Sequence, residues 1–348
     1  MATQKHAVRQ EDVAFLPRRK RGRQSVEAEA EYQRQRATFC QLTLQIRSTM
    51  DFAVGSRGLC YTLEPHGLPK GDFDDAQKLI TECRKTGELP LDICAEDDAR
   101  ATVGLQGDLD DPDVEAQGQG WIQYVRERAA NSYTPFGFWD DLDVYVEVAV
   151  EKLDLRNLFE SVCAEFYVPL TNMKGWCDLT ARAAMMRRFT AHEAANRRWI
   201  LLLCGDHDPG GLNITATMRK NLEDLAGAVG WSPDNLVITR FGLNADFINR
   251  HGLTWIDNLE TSSGQRLDDP KHPDHNKAYV QDYIRRFGVR KCEANALVVA
   301  PHVGRQLCRD AILQYVPADA PERYRRRLAV ERRRLRAAIQ QLMRRAAS

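Results

Sequence analysis

Apolar residues recur at helical spacing in three segments of the first hundred residues. The segments span 25–50, 56–63 and 73–85, and glycines mark the loop between the second and the third. A strand-like stretch follows from Leu89. Periodicity of this kind, closed by a glycine, is typical of short helices, so the pattern predicts three helices and then an extended segment.

Beyond residue 143 the pattern changes to apolar runs that alternate with amphipathic segments. A strong run of β-branched residues such as 144–150 is typical of a strand with both faces buried. Strands that alternate with helices predict an α/β fold, in which a largely parallel sheet carries helices on both faces. The predicted strands are 144–150, 167–170, 199–204 and 236–239, and the predicted helices are 155–166, 179–197, 212–229, 279–287 and 297–316.

The same patterns, with local composition, divide the chain into five parts. Three short helices before a strand fit a winged-helix domain. Residues 105–120 are rich in glycine and aspartate and contain few apolar residues, which predicts a linker or long loop, and the predicted linker extends over 105–140. The predicted parts are a disordered basic N-terminus (1–24), the winged-helix domain (25–104), the linker (105–140), the sheet domain (141–260) and a C-terminal extension with an Arg-rich helix (261–348).

The composition of the 348 residues is that of a globular protein, with 43% hydrophobic and 28% charged residues. No apolar run reaches the ~18 residues that a transmembrane helix needs, and the first residues are polar and then basic. These features predict a cytoplasmic protein with no membrane partner. The nine cysteines include no CxxC pair, which argues against a zinc ribbon and favours reduced, buried thiols.

Charge is unevenly distributed although the formal net charge is zero. Residues 18–23 form a basic cluster, and residues 323–345 carry ten arginines against one glutamate. Acidic stretches such as 108–115 lie between these basic ends. This distribution suits a nucleic-acid-binding protein that also holds a metal ion, and it equally suits a solvated helix face beside a disordered tail.

Three carboxylates follow two of the predicted strands. Glu151 comes directly after the strand 144–150, and Asp206 and Asp208 come directly after the strand 199–204. Residues i and i+2 of an extended chain point the same way, so the two aspartates can converge with Glu151 at the carboxyl edge of the sheet. Carboxylate oxygens at such an edge suit Mg²⁺ or Mn²⁺. Pro209 and the glycines after it predict a sharp turn into a helix whose N-terminus lies near a bound phosphate.

The strand–Glu pattern, followed 55 residues later by a strand and DxDPxG, resembles a TOPRIM domain. The residues that carry the resemblance are Val-Ala-Val-Glu-Lys at 148–152 and Gly-Asp-His-Asp-Pro-Gly at 205–210. The version of TOPRIM is similar to that of the topoisomerase VI A subunits, the meiotic double-strand-break transesterase and their short bacterial and phage relatives. The resemblance implies a Rossmann-like TOPRIM domain over 141–260, with Glu151, Asp206 and Asp208 as the ligands of Mg²⁺ or Mn²⁺.

Two further segments resemble the same family. Arg-Gly-Leu-Cys-Tyr at 57–61 is similar to the R-x-x-Y-Y segment of its CAP-like winged-helix domain, and Glu293 begins a segment similar to its E-x-x-A-L. The resemblance implies that Tyr61 is a nucleophile that forms a 5′-phosphotyrosyl link with DNA. Arg57 would then activate Tyr61 or contact the phosphate, and Lys152 would add a positive charge near the metal. The first tyrosine of the family's pair is Cys60 in this chain.

The family also implies a homodimer on double-stranded DNA, with tyrosine and metal contributed by different protomers. No GxxxxGK[ST] motif occurs, so strand passage would require a separate, B-type ATPase subunit. Two alternatives stay open, because a fold does not determine its chemistry. One is a hydrolytic TOPRIM endonuclease, associated with defence in some relatives, in which Tyr61 is structural. The other is a DNA-binding protein without catalytic activity.

Overall fold

A computed structural model describes residues 16–19, 24–95, 110, 113–173, 179–193, 196–261 and 265–346. The described part is a mixed α/β structure built on a four-stranded parallel sheet. Its strands are β1 (Val144–Val150), β2 (Leu170–Asn172), β3 (Arg198–Cys204) and β4 (Leu236–Gly242). Its helices are α1 (Val26–Ser48), α2 (Ser56–Leu63), α3 (Phe73–Thr86), α4 (Val114–Glu127), α5 (Leu153–Glu165), α6 (Leu179–Glu193), α7 (Pro209–Glu223), α8 (Ala226–Val229), α9 (Ala245–Arg250), α10 (Ala278–Phe287), α11 (Pro301–Leu313) and α12 (Ala320–Ala346).

The strand order in the sheet is β2-β1-β3-β4. The chain therefore leaves β1 in one direction to reach β2, then returns past β1 to add β3 and β4 on the other side. Right-handed crossovers then place α5 on one face of the sheet and α6 and α7 on the other. All seven residues of β1 are buried, as its run of mostly β-branched residues predicted.

Strand β1 carries one buried charge, Glu147, in its centre. Arg188 of α6 donates two hydrogen bonds to its carboxylate, each 2.8 Å long, and the Tyr145 hydroxyl donates a third of 2.9 Å. Burial raises the pKa of Glu147, and Arg188 opposes that rise. The carboxylate thus ties α6 to the sheet, because a buried charge is tolerated only when it is paired and hydrogen-bonded.

The three predicted N-terminal helices are present as α1, α2 and α3. The strand predicted from Leu89 is wrong over the described residues, because Leu91–Ile93 is a short 3₁₀ helix. Pro90 precedes it and has no N–H to give to a sheet. The buried side chains of α2 and α3 belong to the same hydrophobic cluster as those of β1 and β3, so one core continues from the helices into the sheet.

The linker predicted over 105–140 contains a helix, α4, so a loop is the wrong prediction for 114–127. Asp113 caps the helix by accepting hydrogen bonds from the N–H groups of Glu115 and Ala116, at 3.0 and 3.1 Å. Gly118 and Gly120 are poor helix formers and obscured it in the sequence. Residues 1–15 and 96–109 lie outside the described residues, so the disordered terminus and the first part of the linker stay predictions.

Other boundaries shift by a few residues. The second strand begins at Leu170 rather than 167, because Tyr167 has a positive φ of 55° that no strand residue adopts. The helix predicted over 297–316 is a 3₁₀ segment, Ala294–Val299, followed by α11, which starts at Pro301. The Arg-rich helix is present as α12. Within the described ranges, no helix combines the length and the apolar character that crossing a membrane requires.

Candidate metal site at the carboxyl edge of the sheet

The candidate site lies where the strand order of the sheet reverses. Strands β1 and β3 are neighbours, yet the chain leaves them toward opposite edges of the sheet. Crevices at such switch points, outside the carboxyl ends of the strands, are where open α/β sheets bind ligands. Glu151 follows β1 and Asp206 follows β3 by two residues, so the topology brings together the two carboxylates that the sequence indicated.

The carboxylates of Glu151 and Asp206 converge on one positively charged group. The Lys152 ammonium lies 3.4 Å from Glu151 Oε1 and 3.0 Å from Asp206 Oδ2. The other oxygen of Glu151, Oε2, accepts a hydrogen bond of 3.0 Å from the backbone N–H of Asp206. Burial acts to lower the pKa of Lys152, but Asp206 and Glu151 outweigh it and raise that pKa. A positive charge is therefore strongly favoured between the two carboxylates.

Asp206 is the more deeply held of the two carboxylates. Its Oδ1 accepts a hydrogen bond of 2.8 Å from the backbone N–H of Ala294, and its side chain is only 8% exposed. Burial raises the pKa of Asp206, the neighbouring Glu151 raises it further, and Lys152 opposes both. The second oxygen, Oδ2, stays directed toward the Lys152 side, so the geometry leaves one oxygen of Asp206 for a cation.

A buried arginine holds the loop that carries Asp206. The Arg240 guanidinium on β4 donates to the carbonyl oxygens of Gly205, Asp206 and Gly211, at 2.9, 2.7 and 3.0 Å. Burial lowers the pKa of Arg240. Sequence analysis missed this residue, since an arginine inside a short strand gives no signal of the loop it will bind.

Asp208 does not join the other two carboxylates. It is the N-cap of α7, and its Oδ1 accepts a hydrogen bond of 2.6 Å from the backbone N–H of Gly211. Burial raises the pKa of Asp208, and Asp206 adds to the rise. Among the residues that the structure describes, no group of three histidine, cysteine, aspartate or glutamate side chains is placed to hold a metal ion. The arrangement is a pair of convergent carboxylates with a third held close by as a helix cap.

His207 faces away from the carboxylates. Its backbone forms two hydrogen bonds with Cys292, of 2.8 and 3.0 Å, and its ring packs against aromatic neighbours. Its Nδ1 lies 2.9 Å from the Tyr283 hydroxyl. Burial lowers the pKa of His207 to about 4, so the imidazole is neutral near pH 7. These contacts give His207 a structural role in fixing the DxD loop. The aromatic neighbours are Trp255, Tyr283 and Phe287.

A second cluster lies beside the carboxylates and consists of Tyr61, Arg57 and Glu293. Arg57 on α2 donates two hydrogen bonds to the Glu293 carboxylate, of 2.8 and 2.7 Å, and the Tyr61 hydroxyl donates a third of 2.9 Å. Burial acts to raise the pKa of Glu293, but Arg57 outweighs it and lowers that pKa to about 2. Glu293 adjoins Ala294, whose N–H holds Asp206, so the two clusters are linked within one chain.

Tyr61 is completely buried, with 0% of its surface exposed. Burial and the negative charge of Glu293 both raise the pKa of its hydroxyl. The ring packs edge-on against Phe73, and the Lys70 ammonium lies 4.6 Å from the ring centroid on the other side. The phenol therefore has no route to a phosphate in this conformation, and its ionised form is disfavoured.

The Asp154 carboxylate on α5 holds the N-terminus of α2 against α5, and it was not singled out from the sequence. Its Oδ1 accepts from the N–H of Gly55, and its Oδ2 accepts from the Asn295 side chain at 2.6 Å. A Cβ at Gly58 would overlap this carboxylate, which explains the glycine between Arg57 and Tyr61. Asp154 thereby fixes the distance between the Tyr61 cluster and the metal-site candidates.

No protein-family model matches the chain, and no similar protein was found among the curated ones.

Proposed function

We propose that this chain cleaves DNA strands with a divalent metal ion held by Glu151 and Asp206, and that it does so by hydrolysis. The observation that carries the proposal is the convergence of the buried Asp206 and the partly buried Glu151 on the Lys152 ammonium at the switch point of the sheet. A site that already favours a positive charge between two carboxylates suits Mg²⁺ or Mn²⁺. Mg²⁺ in particular binds through one or two carboxylates and completes its coordination with water and phosphate oxygens.

A bound divalent ion would neutralise phosphate charge and lower the pKa of a water molecule. Glu151 and Asp206 would supply its protein ligands. Lys152, whose side chain is 38% exposed, would turn from the carboxylates toward a phosphate. Asp208 holds the N-terminus of α7, where backbone N–H groups and the helix dipole favour an anion. Each of these residues thus acts on the charge of the phosphodiester.

Hydrolysis is favoured over attack by Tyr61 because of where the phenol lies. A nucleophilic tyrosine must reach the phosphate and lose its proton. Tyr61 is buried, its hydroxyl donates a hydrogen bond to Glu293, and its pKa is raised. The alternative, a 5′-phosphotyrosyl transesterase, requires α2 to withdraw from Glu293. A DNA-binding protein without activity is the weaker alternative, because both convergent carboxylates are present.

We also propose that the chain combines a TOPRIM domain with a CAP-like winged helix and acts on DNA as a homodimer. The motifs resemble those of TOPRIM domains joined to a CAP-like winged helix, and the sheet order and the three N-terminal helices are compatible with that pairing. Double-stranded DNA as substrate and a homodimer as the active form rest on the same resemblance. A separate ATPase subunit is needed only if the transesterase alternative holds.

Replacing Tyr61 by phenylalanine tests the chemistry. We expect Tyr61→Phe to nick or linearise supercoiled plasmid in Mg²⁺ or Mn²⁺ within about threefold of the wild-type rate, since only the hydrogen bond to Glu293 is lost. The reaction is stopped with SDS and run with and without proteinase K. Hydrolysis predicts DNA ends free of protein in both lanes. A protein–DNA adduct that proteinase K releases, and that Tyr61→Phe abolishes, would establish the transesterase instead.

A further inference from the structure

A second concave surface lies at the opposite edge of the sheet from the carboxylates. It is a groove of about 680 Å³ between α12 and the segment that follows α4. Tyr167, just before β2, forms part of its wall. Since β1 has seven residues, the groove and the carboxylates are separated by roughly 20 Å along the strands. The groove is lined by Asn131, Thr134, Tyr167, Tyr324, Arg325, Leu328, Ala329, Arg332, Arg333 and Arg336.

Four arginines of α12 line this groove, and no acidic side chain is among the described residues that line it. One face of α12 carries positions 325, 329, 332, 333 and 336. This face extends over about 17 Å, at 1.5 Å per residue. Among the described residues, Arg325 is the one of these four arginines with a carboxylate close by, Glu322 at 3.4 Å. The groove therefore has a strong excess of positive charge.

Within the part of the chain that the structure describes, no carboxylate is paired with the other three arginines. Arg332 donates to the carbonyl oxygen of Tyr133 at 3.0 Å, and Arg336 donates to Asn131 Oδ1 at 2.9 Å. Both acceptors are neutral. The Nε of Arg336 is buried and has no hydrogen-bond partner among the described residues. Arg333 is exposed, and the described part of the chain shows no ion pair for it. Unpaired buried donors of this kind favour an anionic ligand.

An aromatic side chain accompanies these charges. Tyr167 is 39% exposed and has a positive φ of 55°, an uncommon conformation for a bulky residue. One face of its ring stacks on Phe138, with centroids 4.9 Å apart. Arginines along a groove, with a part-exposed tyrosine, are the features by which proteins bind unpaired nucleic-acid strands. The volume matches that of sites for drug-sized ligands, which suits about one or two nucleotides of a single strand but not a duplex.

We propose that this groove binds single-stranded DNA through its phosphates, as a second DNA contact apart from the metal-site candidates. This inference rests on the proposed function for the choice of DNA as the ligand. It adds that the DNA substrate has an unpaired segment, which the groove holds. The groove contributes affinity that depends on salt concentration, and Arg332, Arg333 and Arg336 make the phosphate contacts.

The test compares two triple variants of α12 that remove the same charge. The groove variant is Arg332→Gln, Arg333→Gln, Arg336→Gln. The control variant is Arg323→Gln, Arg326→Gln, Arg334→Gln. Each control arginine pairs with a carboxylate within its own segment, at 2.9, 2.8 and 2.6 Å. Binding of a fluorescent single-stranded 20-mer and of the matching duplex is measured with the full chain in EDTA, over a range of salt concentrations, after both variants pass a thermal-unfolding check.

We expect the groove variant to bind the single strand about tenfold or more weakly, and the control variant to bind within about threefold of wild type. The slope of log affinity against log salt should fall by about 2 for the groove variant, as expected for the loss of three contacts to a single strand. Equal losses in the two variants, an unchanged groove variant, or tighter binding of the duplex than of the single strand would overturn the proposal. The proposal would also be overturned if the groove variant lost binding to vesicles of anionic lipid but kept its binding to DNA.

Binding in EDTA separates this proposal from the cleavage proposal. If the groove variant loses the single strand while wild type cleaves no DNA in Mg²⁺ or Mn²⁺, the groove stands and the proposed function fails. If wild type cleaves DNA and the groove variant binds and cleaves as well as wild type, the groove proposal fails alone.

Discussion

Replacing Asp206 by asparagine is expected to lower the rate of metal-dependent DNA cleavage by about a thousandfold or more. Asp206 Oδ2 is one of the two oxygens that converge on the Lys152 ammonium. Asparagine removes the negative charge that would hold a cation there. Its amide oxygen can still accept the hydrogen bond from the N–H of Ala294, so the local fold should survive.

The effect of Asp206→Asn is measured as the initial rate of plasmid nicking in Mg²⁺ and in Mn²⁺. Asp224→Asn is the matched control, because Asp224 is an exposed carboxylate at the far end of α7 and has no part in the site. We expect the control to cleave at the wild-type rate. Asp206→Asn with more than about a tenth of wild-type activity would mean that Asp206 is not a metal ligand in the reaction.

The second large effect is expected at Gly211, where an alanine should destabilise the fold by about 3 kcal/mol or more. A Cβ at this position would overlap the backbone carbonyl oxygen of Asp206, and backbone atoms cannot move aside as a flexible side chain can. The N–H of Gly211 is also the donor to Asp208. The first turn of α7 would have to withdraw from the loop that carries both aspartates.

Gly210 provides the control for this prediction. The nearest atom to a Cβ at Gly210 is Asp208 Oδ1 at 3.4 Å, an ordinary contact. Alanine is also a better helix former than glycine, so Gly210→Ala should be neutral or stabilising by up to about 1 kcal/mol. Denaturant unfolding of the two variants gives the comparison directly. Similar free energies of unfolding for Gly210→Ala and Gly211→Ala would contradict the close packing of α7 against Asp206.

The sequence predicted the sheet well because its central strands are buried on both faces. Apart from Glu147 in β1 and Arg198 at the start of β3, both strands are runs of apolar residues, and such runs leave few alternatives to a strand of a parallel sheet. The topology alone then places the carboxylates that come after these strands close together, since parallel strands bring their carboxyl ends to one edge of the sheet. Glu151 and Asp206 converge for this reason, as the spacing predicted.

The features that the sequence did not predict depend on contacts between residues far apart in the chain, or on local hydrogen bonds that the sequence pattern does not reveal. Tyr61 and Glu293 are 232 positions apart, and nothing in either segment reveals the hydrogen bond that joins them. Asp208 was predicted only as a metal ligand, and the motif does not reveal that its Oδ1 caps α7 by accepting a hydrogen bond from the N–H of Gly211. Helix α4 was missed because Gly118 and Gly120 lie within it, and glycine has a low helix propensity.

The most direct test of the central claim is anomalous diffraction from crystals of the full chain soaked in Mn²⁺. The account predicts one strong peak within coordination distance of Glu151 and Asp206, with the Lys152 ammonium displaced from between them. The same soak of Asp206→Asn should lose the peak. A chain that cleaves DNA in Mn²⁺ while showing its manganese elsewhere, or none at these two carboxylates, would contradict the assignment of this edge of the sheet as the site of catalysis.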